Sequence, residues 1–152
     1  MGKRPILAYA LYLLGRRGRT ERELRDKLAE KKYLDDDIDR TIERLKEMKL
    51  IDDAVFAANY ARDKVTIYRR GRFRIGLDLL RKGVGRDQID QALGEVEEAD
   101  ELSAAQSLAE SRLKNWQALD PLKRRARLTS LLQRRGFSAR VVRAVLEADK
   151  AS

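Results

Sequence analysis

Apolar residues recur at three- and four-residue spacings along almost the whole chain, the pattern of amphipathic helices, and no alternating strand pattern competes with it. Leu7, Ala10, Leu11 and Leu14 mark a first helix, which Gly15 to Gly18 ends. Thr20-Glu21-Arg22-Glu23 reads as a capping box opening a second helix with Leu24 and Leu28 on its face. Asp35, Asp36 and Asp37 suit a third helix start, with Ile38, Ile42 and Leu45 following. Asp52 or Asp53 caps a fourth helix, whose face carries Phe56, Tyr60 and Val65 or Ile67. Ile75 and Leu79 stripe a fifth that Gly83 closes, and Ile89, Leu93 and Val96 make a sixth. Glu95 to Glu101 reads as an acidic linker. Leu102, Ala105, Leu108, Ala109 and Leu113 define a seventh helix ending near Trp116, which is expected in the core or at a joint. Asp120-Pro121 opens an eighth with Leu128 and Leu132, ended by Gly136. Ser138 caps a ninth with Val142 and Leu146.

These faces repeat. Leu24, Ile75 and Leu128 align without gaps, as do Leu28, Leu79 and Leu132. Tyr33, Val84 and Phe137 align next, then Ile38, Ile89 and Val142, then Ile42, Leu93 and Leu146. The predicted fold is all-α: three tandem helix-turn-helix-like repeats of three helices each, at 5–51, 52–99 and 100–148. Each repeat is small for a core of its own, so neighbours are expected to pack through their joints into an elongated, curved array.

Composition narrows the function. The 152 residues include 34 Lys and Arg against 25 Asp and Glu, a formal net charge of +9, and the pI is about 10.0. An anionic partner is expected. The absence of Cys and His excludes disulfides, thiolate nucleophiles, Cys/His zinc sites and histidine acid–base schemes. It fits a cytoplasmic protein. The apolar run Ile6 to Leu14 is nine residues and is followed by Arg16, Arg17 and Arg19, so it reads as a core helix, not a targeting or membrane segment. No phosphate-loop pattern is present, and Asp35, Asp36, Asp37 and Asp39 lack the spacing of a calcium loop. No catalytic residue, metal site or cofactor is expected.

The positive charge is clustered. Arg16, Arg17, Arg19, Arg22 and Arg25 lie at the first-to-second helix junction of repeat one. Arg69, Arg70, Arg72 and Arg74 lie at that junction of repeat two, within a basic stretch that also holds Arg62, Lys64, Arg81 and Lys82. Lys123, Arg124, Arg125 and Arg127 open the second helix of repeat three, and Leu122 to Gly136 contains no acid. Arginine binds phosphate or carboxylate through two donors and stacks on bases, so a repeated basic edge suits a phosphate backbone or an acidic protein surface. Tyr68 offers a stacking face or a packed ring, whereas Phe73 is expected to pack inside. Arg22 and Asp26 have the spacing of a helical ion pair.

Three motifs, in order and spacing, carry a resemblance. They are Ala10-Leu11-Tyr12-Leu13-Leu14 with Thr20 through Leu28; Leu50-Ile51-Asp52-Asp53-Ala54-Val55-Phe56-Ala57, Tyr60-Ala61-Arg62, Gly71 through Ile75 and Arg81-Lys82-Gly83-Val84; and Leu131-Leu132-Gln133-Arg134-Arg135-Gly136-Phe137. Together they span nearly the whole chain, which resembles the RecX family, bacterial regulators of the RecA recombinase. The resemblance implies a non-enzymatic protein that binds RecA–single-stranded-DNA filaments; a monomer is expected. Such a protein limits filament growth or promotes disassembly, lowering ATP hydrolysis, strand exchange and stimulated repressor cleavage; double-stranded DNA would bind weakly. On that basis the RecA- or DNA-binding residues are Arg62, Lys64, Arg69, Arg70, Arg72, Arg74, Arg81, Lys82, Arg124, Arg125 and Arg127. One departure is Arg69-Arg70-Gly71-Arg72-Phe73, where family members often carry a Gly-Tyr-Gly-Pro-like turn. Another is the short loop from Asn115 to Asp120. A general helical-repeat nucleic-acid-binding module is the alternative on the residues alone.

Overall fold

The structure is a computed structural model and describes residues 2–150. Among these residues there are nine α-helices and no strand. They are α1 (Ile6–Arg16), α2 (Glu21–Glu30), α3 (Asp35–Glu47), α4 (Asp53–Thr66), α5 (Arg72–Arg81), α6 (Arg86–Gly94), α7 (Glu98–Leu113), α8 (Pro121–Arg134) and α9 (Ala139–Lys150). No described helix is long and apolar enough to cross a membrane. Two compact units form, one from the residues up to Ala57 with Leu79–Ile89, the other from Ala58–Asp78 with the chain from Asp90 onward. The helices of the middle repeat are divided between them.

In the first unit α1, α2 and α3 pack on one another. Their core holds Ala10, Leu13, Leu24, Leu28, Ile38, Ile42, Leu45 and Ile51. Removing each large side chain of this kind from water contributes about 1.5–3 kcal/mol. The face of α1 differs from its expected one. Leu13 is buried and Leu11 is 41% exposed, because Leu11 lies a full 100° round the helix from Ala10. Thr20 and Glu23 form the expected capping box: the Thr20 hydroxyl accepts from the Glu23 amide at 3.1 Å and the Glu23 carboxylate from the Thr20 amide at 3.2 Å. The α3 aspartates, by contrast, make no side-chain cap, since α3 begins at Asp35 itself after Leu34. They face the positive end of the helix dipole instead. Asp52 caps α4, accepting from the Ala54 and Val55 amides, while Asp53 accepts from the Glu21 amide at 2.9 Å.

In the second unit α7, α8 and α9 pack together around Ala105, Leu108, Leu128, Leu132, Val142, Val145 and Leu146. Asp120 caps α8 through the Leu122 and Lys123 amides, and the Ser138 hydroxyl accepts from the Val141 amide to cap α9. On α4, Val65 is buried and Ile67, just past the helix end, is 66% exposed. Val96 likewise lies beyond α6. The aligned positions Leu24, Ile75 and Leu128 are all 0% exposed, as are Leu28, Leu79 and Leu132.

The repeat extends to the backbone. α2, α5 and α8 each end in a residue of left-handed conformation: Lys32 (φ 61), Gly83 (φ 86) and Gly136 (φ 89). The next amides close the same bond in each case, Tyr33 to the Leu28 carbonyl, Val84 to Leu79 and Phe137 to Leu132. Lys32 alone brings a Cβ to this conformation, at a cost of about 1 kcal/mol. Glycine there gives back part of that gain through its freer unfolded chain. Lys32→Gly is therefore expected to stabilise the protein by about 0.5 kcal/mol and raise the thermal midpoint by about 1–2 °C, read by circular dichroism.

Candidate nucleic-acid and protein-binding surface

The same joint is built twice, once in each unit. In the first unit the Thr20 hydroxyl donates to the Lys82 carbonyl at 2.6 Å, and the Arg22 guanidinium donates to the Arg81 carbonyl. The expected Arg22–Asp26 pair is replaced by this contact. Lys82 also meets Glu23 at 3.4 Å. Burial opposes ionisation of the Glu23 carboxyl, but the Thr20 amide, Arg17 and Lys82 together hold it below its usual value. In the second unit Gly71 stands in the register of Thr20, and Arg135 in that of Lys82. The Gly71 amide donates to the Arg135 carbonyl at 2.8 Å and the Phe73 amide to the Gly136 carbonyl at 3.1 Å. A Cβ on Gly71 would lie 2.3 Å from the Gly136 carbonyl carbon, so only glycine admits this approach. Arg81 and Lys82 thus belong to the first unit; the other nine sequence-predicted site residues belong to the second.

Around the second joint, arginines gather. Arg70 contacts Asp78 at 2.9 Å and Arg74 contacts the same carboxylate at 3.3 Å. Arg72 meets Glu101 at 3.0 Å and donates to the Val96 carbonyl. The Glu101 side chain is only 3% exposed, so the expected acidic linker in fact supplies a buried partner from α7. Arg69 adopts a left-handed backbone (φ 52). Arg135 donates to the Tyr68 carbonyl. Burial lowers the pKa of the Arg135 guanidinium, and Arg70, Arg112, Arg74 and Arg69 push it the same way. Four guanidiniums therefore lie close enough to act on that of Arg135. Arg112 and Arg135 are not among the sequence-predicted site residues; the signal for Arg135 is its alignment with Lys82.

The aromatic residues of this region face solvent. Phe73 is 68% exposed and Tyr68 50%. The expectation that Phe73 packs inside fails because Ile75 and Leu79 already take the inward face of α5, and Phe73 lies off it. Lys64 lies 3.8 Å from the Tyr68 ring centroid and 5.1 Å from that of Tyr60. Arg62 is exposed and hydrogen-bonds Asn59 at 3.0 Å. On α8, Arg125 is half-buried and Arg127 exposed. Arg124 approaches Asp149 of α9 at 3.9 Å, an acid that lies far off in sequence.

Comparison with known proteins places this arrangement. Three family models match in order: RecX first three-helix domain at residues 7–45, second at 52–93 and third at 98–146. The regulatory protein RecX of Prosthecochloris aestuarii is 34% identical over 146 residues, which cover 95% of this chain and 93% of the relative. That of Mycobacterium ulcerans is also 34% identical, over 95% of this chain and 84% of the relative. The crystal structure of RecX from Lactobacillus salivarius superposes with a TM-score of 0.88 at 23% identity, covering 97% and 96% of the two chains, and supports the fold. By sequence and by three-helix architecture, the chain belongs to the RecX family.

Proposed function

We propose that this protein regulates the RecA recombinase by binding RecA–single-stranded-DNA filaments, and that it does so as a cytoplasmic monomer without enzymatic activity. The observation that carries the reading is the gathering of Arg69, Arg70, Arg74 and Arg112 around Arg135 at the second joint, with Asp78 pairing Arg70 and Arg74, in a chain of the RecX family. Like charges held together cost stability, and an anionic partner, phosphate or acidic protein surface, offsets that cost. Arg69, Arg70 and Arg74 would meet that partner, with Arg112 beside them and with Arg124, Arg125 and Arg127 as a second patch. Arg62 and Lys64 would extend the basic surface of the second unit, and Arg81 and Lys82 would offer cations on the first. Arg72 is turned towards Glu101 and would act by fixing the start of α5. Filament growth and its dependent ATP hydrolysis, strand exchange and repressor cleavage would fall together.

The test is the single-stranded-DNA-dependent ATPase of RecA, titrated with this protein below one copy per RecA. Inhibition far below equimolar supports the reading. Its absence, with tight salt-sensitive DNA binding, supports a general nucleic-acid-binding module instead. The triple variant Arg69→Gln, Arg74→Gln, Arg112→Gln is expected to inhibit about tenfold less well. Its thermal midpoint should stay close to that of the parent, because Arg70 still pairs Asp78 and relief of repulsion on Arg135 offsets the lost Arg74–Asp78 contact. On free single strands the log–log salt slope should shrink by about 0.7 for each phosphate that the variant no longer neutralises. Unchanged inhibition by a stable triple variant would sink the assignment of this cluster.

A further inference from the structure

The first unit carries a second feature that the RecA reading does not use. Tyr9 and Tyr12 project from successive turns of α1, with ring centroids 6.2 Å apart and planes at 23°. Tyr33, after α2, stands 6.1 Å from Tyr9 and donates its hydroxyl hydrogen to the Arg4 carbonyl at 2.7 Å. Tyr9 and Tyr33 pack partly against the core, whereas Tyr12 is 43% exposed. Four cations surround the rings. Lys3 lies 4.1 Å from the Tyr33 centroid, Arg4 4.9 Å from Tyr12, and Arg16 and Lys31 5.8 Å from Tyr12 and Tyr9. These rings, with Lys3, Arg4 and Lys31, line a cavity of about 350 Å³ with no carboxylate in its lining among the described residues. The ion pairs of this unit instead engage Arg17, Arg25, Lys27, Arg40, Lys46 and Lys82.

We infer that this tyrosine-lined basic cavity is a single-stranded nucleic-acid site, in which a base stacks on Tyr12 and the flanking phosphates meet Lys3, Arg4 and Lys31. Aromatic faces are sequence-tolerant platforms for bases, and cations beside them track the backbone. A base arriving on a ring exchanges for the cation over that face and leaves the cation to the adjacent phosphate. A duplex has no unstacked base to offer. An acidic peptide would use the cations but leave the rings without a role. The cavity is at the small end of ligand pockets, matching one nucleotide. The site needs no RecA, so its failure and the failure of the RecA reading are independent.

The experiment uses the full chain without RecA, a fluorescein-labelled 15-mer of thymidylate, and an abasic 15-mer with the same number of phosphates. Fluorescence anisotropy is expected to show tighter binding to thymidylate. Tyr12→Ala should weaken thymidylate binding about fivefold or more and leave abasic binding unchanged, whereas Tyr12→Phe retains the stack and the affinity. Lys3→Gln with Lys31→Gln should weaken both ligands and lower the log–log salt slope by about 0.7 per phosphate. The inference is overturned if Tyr12→Ala binds thymidylate as the parent does. It is equally overturned if the parent does not prefer thymidylate and poly-glutamate displaces both strands, which would make the surface one for acidic polypeptides.

Discussion

Gly136→Ala is expected to destabilise the protein by about 2–5 kcal/mol, a large loss for one added methyl group. Two costs combine. At φ 89 a Cβ meets its own backbone, which costs about 1–2 kcal/mol. The added carbon would also lie 2.3 Å from the Arg74 amide nitrogen and 2.5 Å from the Arg74 Cβ, and overpacking of this kind costs about 1–3 kcal/mol. Backbone cannot swing aside as a side chain can. The start of α5 must retreat and loosen the bonds from the Gly71 and Phe73 amides to the Arg135 and Gly136 carbonyls. The thermal midpoint should fall by about 4–20 °C. Gly83→Ala is the control. Its φ of 86 is equivalent, but its Cβ would meet the Arg22 side chain, at Cβ, Cδ and Nε. Its cost should be smaller, and Arg22→Ala in the same chain should recover part of it by removing two of those three atoms. Equal losses for the two glycines, measured by urea unfolding, would show that backbone crowding at the second joint is not what makes Gly136 necessary.

The outcome at these two glycines separates what the sequence reveals from what it hides. Gly83 and Gly136 were legible as helix stops because a helix end needs a left-handed residue, a local requirement. Leu24, Ile75 and Leu128 were legible because a helix buries one face whatever lies opposite. Thr20 and Glu23 close their box within four residues. The joint itself was not legible. That Gly71 must be glycine follows from the approach of Gly136, 65 positions further on in the chain numbering. Glu101 read as one of several linker acids, since nothing local distinguishes a buried carboxylate from a solvated one. Phe73 read as a core residue on its chemistry, although the inward positions of α5 were already filled. The candidate site was half legible for the same reason. Clusters of Arg69, Arg70, Arg72 and Arg74 are visible in one line of sequence, and Arg74 and Asp78 have the spacing of a helical ion pair, but only tertiary structure gives Arg70 to Asp78 and Arg72 to Glu101, and brings Arg112 and Arg135 beside them. Tyr12 and Tyr33 likewise stood apart in the sequence, one in a motif and one at a repeat position, and Tyr9 in neither, until α1 and the turn after α2 set the three rings side by side.

Arg72→Ala is expected to cost about 3 kcal/mol, lowering the thermal midpoint by about 6–12 °C. The reason is less the loss of an attraction than the partner left behind. Glu101 is 2% exposed, and its carboxylate has the Arg72 guanidinium at 3.0 Å and the Arg72 amide at 3.4 Å. Truncation removes the charged partner and keeps only the weak amide contact, so a buried carboxylate is left without its guanidinium. The figure sits at the low end for a broken buried pair because the Arg72 side chain is itself 37% exposed, and water can enter from that side. Arg72→Lys should recover only part of the loss. A single ammonium cannot keep the planar guanidinium's geometry towards both Glu101 and the Val96 carbonyl. The decisive measurement is the double-mutant cycle with Glu101→Ala. Removing the carboxylate as well takes away the stranded charge, so the double variant should be more stable than Arg72→Ala alone, with a coupling of about 1.5 kcal/mol or more. A coupling below about 0.5 kcal/mol would mean that Arg72 stabilises through its aliphatic stem, and that the pair adds nothing to the start of α5.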